Sequence, residues 1–173
     1  MPEYSIEFGG KLAEVADLVV ADGLDDPDAR RTVLYLSLLS TEISLKAMLE
    51  KAGKPVKEIR RARHDLAQLL RDLDCCEIEA ETTPGVTRLV PASRLRASII
   101  KQGECEITIG DLIGTKAASQ YPNEIRYGDR LHHFPPAAVA QMASKVVAFA
   151  GEHWQSLQTK TREGTADGTS ARP

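Results

Sequence analysis

The chain has 173 residues, 42% of them hydrophobic and 27% charged, with a formal net charge of −3. This length allows one domain with a sizeable core, and the charge excludes a protein that grips nucleic acid through its whole surface, while leaving room for a local basic patch. Cys75, Cys76 and Cys105 show no CxxC spacing. The simplest reading is reduced thiols in a cytoplasmic protein, and a zinc site joined by His64 or His132 is disfavoured. The first ten residues lack the basic-then-apolar pattern of a signal peptide, and no apolar run reaches the roughly 20 residues of a membrane span.

Leu12, Val15, Ala16 and Val19 fall at helical spacing, which predicts a helix over residues 10–22 stopped by Gly23. Asp26 followed by Pro27 opens a second helix, with an acceptor at the cap, then a residue with no N–H to satisfy. It should run to about residue 52. Residues 33–39 are apolar nearly all round, which places this helix at the centre of the domain. Gly53 suits a left-handed helix end and Pro55 prevents continuation. Asp65 and Gln68 have capping-box spacing, so a third helix should span about 65–74.

The middle of the chain changes period. CEIEAE, TRLV, RLRASII and CEITIG carry shorter repeats and more β-branched residues. A β-ribbon is expected, with a hairpin near 94–109 turning at Lys101-Gln102-Gly103-Glu104. A helix over 92–101 is the alternative, because Leu95 and Ile99, like Arg94 and Ser98, stand four apart. Residues 114–134 are rich in turn formers. Pro135-Pro136 opens a last helix with Val139, Met142, Val146, Phe149 and His153 along one stripe, and Trp154 and Leu157 beyond. Residues 159–173 are small and polar, so a disordered tail is expected. The chain therefore reads as mainly α, one domain over 1–158 with four to five helices and a small β-ribbon inserted at about 76–118.

Two groups of residues invite chemistry. Glu42 and Lys46 stand one turn apart, and Glu42 shares its face with Leu38, Leu45 and Leu49. A carboxylate on that face needs a partner, which Lys46, Arg126 or a backbone N–H would supply. Residues 54–64 then carry Lys54, Lys57, Arg60, Arg61 and Arg63 against one glutamate, with Lys51 just before. This is a candidate phosphate-facing patch, which Arg94 and Arg96 would extend; the plainer reading is a solvated turn. His64 precedes a helix start, where its ring either bonds a backbone group or serves as an acid/base. The second group is RYGDRLH, with Arg126 six positions before His132 and His133 next. RNA cleavage beside a 2′-hydroxyl needs a proton acceptor and a cation for the charge developing on phosphate, and an Arg/His pair supplies both without a metal. Tyr121, Tyr127 and Asp129 lie beside it. The plainer reading is a loop docked on the bundle by Tyr121 and Arg126.

These features follow one order: a long helix with ExxxK (Glu42 to Lys46), a glycine stop (Gly53), His64-Asp65-Leu66 opening the next helix, Arg126-Tyr127, and a final helix. That order resembles the HEPN superfamily, in the form of a bacterial HEPN-like protein with an insertion before the last helix, over residues 8–158. The resemblance implies an up-and-down helical bundle, often a homodimer. Many relatives are metal-independent ribonucleases of toxin–antitoxin or phage-defence systems, and others are non-catalytic nucleotide-binding or interaction modules. Their catalytic Rx4–6H signature maps onto Arg126 and His132, with Tyr127 after the arginine. In the ribonuclease reading Arg126 holds the phosphate and His132 exchanges the proton. Lys57, Arg60, Arg61, Arg63, His64, Arg94, Arg96, Tyr121 and Tyr127 bind the ligand, while Glu42, Lys46 and Asp65 support the site. The alternative is a dimeric adaptor in which Arg126, Glu42 and Tyr127 knit the bundle. Expected partners are a second copy, RNA or nucleotide, and an antitoxin or other protein; no cofactor, metal or membrane is expected.

Overall fold

A computed structural model describes residues 1–114, Ile125 and 135–159. The expectations for Tyr121, Arg126, Tyr127, Asp129, His132 and His133, and for residues 160–173 of the tail, lie outside the described residues. Among the described residues there are six helices and two small antiparallel sheets, so the protein is mainly α.

Helix α1 (Ile6–Asp22) begins four residues before the spacing predicts. The reason is a cap: Ser5 Oγ accepts the Phe8 N–H at 3.1 Å. Its buried residues are Gly9, Ala13 and Ala16, not the larger apolar stripe, so Val15 of the predicted core face is exposed. Helix α2 (Pro27–Lys51) starts where expected, with Asp26 Oδ1 accepting the Asp28 N–H at 3.1 Å. It ends at Gly53, whose φ of 93° lets the Lys54 N–H return to the Leu49 carbonyl at 2.9 Å. Where α1 crosses α2 the backbones approach closely. Ser40 Oγ donates to the Gly9 carbonyl at 2.7 Å, and a Cβ on Gly9 would lie 2.5 Å from Ser44 Oγ.

Among the described residues α2 alone is long and apolar enough to cross a membrane. However, 72% of that apolar window is buried by the rest of the chain, as in the core helix of a soluble protein. Helix α3 (Val56–Arg61) replaces the expected basic turn and buries only Ile59. In α4 (Leu66–Asp74) Leu66, Leu69, Leu70 and Leu73 face the core. Asp65 lies outside the helix as its cap, with Oδ1 accepting the Gln68 N–H at 2.9 Å. The reciprocal half of the expected box is missing, because the Gln68 amide donates to Asp72 instead.

The insertion is a pair of hairpins. Strand β1 (Cys76–Thr83) pairs antiparallel with β2 (Val86–Pro91). A 3₁₀ turn at Ala92–Arg94 stands where a longer helix was the alternative. Strands β3 (Ile99–Gln102) and β4 (Cys105–Thr108) form the expected second hairpin, shorter than 94–109, and Gly103 supplies its positive φ of 60°. Helix α5 (Ile109–Gly114) follows in place of continued strand and loop, with Thr108 Oγ1 accepting the Asp111 N–H at 3.1 Å. Helix α6 (Pro136–His153) buries Val139, Met142, Val146 and Phe149 as the stripe predicts. Strand β5 (Gln158–Thr159) then adds to β1, so Thr159 belongs to the sheet rather than to the tail. The Thr159 N–H also reaches the Ala52 carbonyl at 3.1 Å. One core cluster joins α2, α4, α5 and α6 to Ile78, Leu95 and Ile100 of the insertion.

Candidate functional site

The site grows from the most buried helix. Glu42 and Lys46 lie on adjacent turns of α2 with side chains only 6% and 9% exposed, and Lys46 Nζ donates to Glu42 Oε1 at 2.7 Å. A buried carboxylate keeps its charge only if both oxygens find donors. The second donor is His64, whose Nδ1 lies 2.9 Å from Glu42 Oε2. This side-chain contact was not among the two roles, a bond to a backbone group or acid/base work, expected for His64. The pairing depends on how the chain leaves α3. Arg63 takes a positive φ of 50°, the only such value at a non-glycine among the described residues. That kink sets His64 above α2 just before the Asp65 cap. Non-glycine residues in this region are uncommon and cluster at functional positions.

A strap crosses the other side of the pair. The Glu50 carboxylate accepts the N–H groups of Glu3 and Tyr4 at 2.9–3.0 Å. The Tyr4 ring lies 5.4 Å from Lys46 Nζ, close enough for a cation–π contact. Arg60 forks onto Glu3, with Nε to Oε1 at 2.8 Å and the second nitrogen on Oε2. The Arg60 guanidinium holds Glu3 below the usual carboxylate range, and burial raises the Tyr4 phenol above its usual value.

The basic segment divides into two sets. Lys54 is held by Asp72 at 2.6 Å and Arg60 by Glu3. Farther on, Arg96 is held by Asp74 at 2.7 Å. Lys57, Arg61, Arg63 and Arg94 are exposed. Of the residues expected to bind, the structure gathers Lys57, Arg60, Arg61, Arg63 and His64 on α3 and the turn after it. Arg94 and Arg96 sit apart, on and after the 3₁₀ turn, and Arg96 turns back to α4.

The His64 ring is 55% exposed. The Nδ1 side of the ring faces the Glu42 carboxylate, which fixes how an imidazole, a side chain suited to proton exchange, is presented beside the basic turn. Exposed cations beside it suit a phosphate. Among the described residues no group of three or more His, Cys, Asp or Glu could hold a metal. Sequence reasoning missed the Glu42–His64 contact and the Glu3–Tyr4–Glu50 strap. Its only pointer to the first was a carboxylate on an apolar face with one neighbour too few. No family model, curated protein or solved structure matches the chain.

Proposed function

We propose that the protein is an HEPN-like, cytoplasmic phosphate-ligand binder, with RNA or a nucleotide as ligand, in which α1, α2, α4 and α6 form an up-and-down bundle and the hairpins are an insertion. The observation that supports this reading is the buried Glu42–Lys46 pair gripping an exposed His64 beside Lys57, Arg61 and Arg63. A core helix rarely buries a glutamate and a lysine unless they are paired, and here the pair also holds the histidine. In the catalytic form of this reading the protein is a metal-independent endoribonuclease of a toxin–antitoxin or phage-defence system. Arg126 offsets charge on the phosphate, His132 exchanges the proton of the 2′-hydroxyl, and the basic turn holds the backbone.

Two measurements test it. Fluorescein-labelled single-stranded RNA should bind with a salt dependence that flattens when Lys57, Arg61 and Arg63 become glutamine, by roughly 0.7 for each phosphate no longer neutralised. Total RNA incubated with the protein in EDTA should be cut, and Arg126→Ala or His132→Ala should slow cutting by about a hundredfold or more. Intact RNA removes the nuclease; flat anisotropy with both RNA and nucleotides removes the binding reading altogether. A second reading, a non-catalytic dimeric adaptor, is favoured by the ion pairs that occupy Lys54, Arg60 and Arg96. It gains if RNA stays intact while the purified protein is a dimer that Arg126→Ala destabilises.

A further inference from the structure

The strap ahead of α1, residues 1–5, touches both halves of the candidate site at once. Glu3 holds Arg60 of the basic segment. The next residue, Tyr4, lays its ring 5.4 Å from Lys46 Nζ, in the cluster that carries His64. The two residues move as a unit, because their neighbouring backbone N–H groups both donate to the Glu50 carboxylate. Arg60 offers one nitrogen to each Glu3 oxygen. That planar fork receives two oxygens of a phosphate equally well, so the Glu3 carboxylate occupies the position that a ligand oxyanion would take. Arg60 is 66% exposed, which lets a ligand reach the guanidinium without opening the core. An ion pair in such contact with water is held weakly. Lys57, Arg61 and Arg63 are exposed on the same segment. A ligand with several phosphate charges can engage these cations together with Arg60, whereas Glu3 brings a single charge.

We propose that the strap is an internal competitor for the basic segment: Glu3 occupies Arg60 in the free protein, and a phosphate group of the ligand displaces it and lifts Tyr4 from Lys46. The inference rests on the phosphate-ligand reading above and adds how that site is regulated. It also accounts for an arginine of the basic segment being already paired: the pairing is the closed state. A strap closed for about nine-tenths of the time lowers the apparent affinity of the open site by about tenfold. Ligand binding in turn uncovers the side of the Glu42–Lys46 pair that the Tyr4 ring covers, so occupancy of the basic segment is transmitted to the cluster holding His64.

The test uses the full chain, with fluorescein-labelled single-stranded RNA and a fluorescent ATP analogue as probes. Glu3→Gln should tighten whichever probe binds by about tenfold, because it removes the competing charge. Glu58→Gln takes the same charge from an exposed position of α3 and should tighten it by less than about threefold, the part that general electrostatics supplies. Adding Glu3→Gln to Arg60→Gln should bring no further gain beyond about twofold, since the contested group is gone. In the unaltered protein, saturating probe should shift the backbone amide resonances of Glu3 and Tyr4 away from their Glu50-bound positions. Equal gains from Glu3→Gln and Glu58→Gln, or Glu3 and Tyr4 amides that do not move at saturation, would overturn the competitor and leave the phosphate-ligand reading standing. Failure of the unaltered protein and of Glu3→Gln alike to bind either probe would remove both.

Discussion

Two ionic clusters flank the C-terminal half of α2, and they differ in depth rather than in chemistry. Beneath His64, Glu42 and Lys46 are almost wholly out of water. Nearer the surface, Arg60 meets Glu3 with side chains 66% and 34% exposed, and Lys54 meets Asp72 at an intermediate 22% and 18%. The buried pair can be broken only at the full cost of leaving a charge in a poorly polarisable core. The surface pairs exchange water for each other at little net gain. The inner cluster is therefore fit to fix geometry, and the outer one is fit to be rearranged by a ligand.

The contrast is sharpest at Lys46. Lys46→Met leaves Glu42 buried without its 2.7 Å cation, and should lower stability by about 3–5 kcal/mol in urea denaturation. The double variant Glu42→Met, Lys46→Met should lose much less, because no uncompensated charge is left. If both variants lose the same amount, the pair is not the buried anchor described above. A smaller effect is expected at Asp65, whose carboxylate caps α4. Asp65→Ala should cost about 1 kcal/mol and loosen the His64 ring, seen as broadened imidazole resonances. Smaller still is the Arg60–Glu3 coupling, which a double-mutant cycle should place well below that of the buried pair and which should fade in about 1 M salt. A coupling as large as that of the buried pair would erase the distinction.

Acid should release the surface cluster by a defined route. Glu3 is held below its ordinary 4.5, chiefly by Arg60. A carboxylate with a depressed folded value contributes stability that is complete above the unfolded value and is lost as pH falls through the lowered one. The Tyr4 ring resonances should therefore shift below pH 4.5, and Arg60→Ala should move that transition to higher pH.

Local signals carried much of the fold. The start of α2 at Asp26-Pro27, its stop at Gly53, the Asp65 cap, the β3–β4 hairpin and the buried stripe of α6 each depend on neighbours within a few residues, and each stands in the structure. What escaped depends on distance or on weak contrast. Helix α3 has one buried side chain, too few to set a period. Strand β5 is two residues long and is defined only by a partner about 80 positions away. On α1 the larger apolar residues drew the face the wrong way, because the tight crossing at Gly9 admits only small ones. At the candidate site Glu42 and Lys46 were legible from their spacing. The contact with His64 was not, since it is created by the kink at Arg63 and the crossing of α4 over α2.

Strand β5 also bears on how the protein is made. It joins the first residues of β1 to the end of α2, through the Thr159 N–H on the Ala52 carbonyl. Three segments synthesised at widely separated times meet at one short strand. During translation, α2, α4 and the hairpins can emerge and begin to collapse, but this junction cannot close until residue 159 has cleared the ribosome. Contacts of such long sequence separation form late, after loop-closure entropy has been met. Until then the end of α2 at Ala52 and the sheet edge at Cys76 stay open, so the nascent chain passes through a stage in which its core helix lacks the cover of β5.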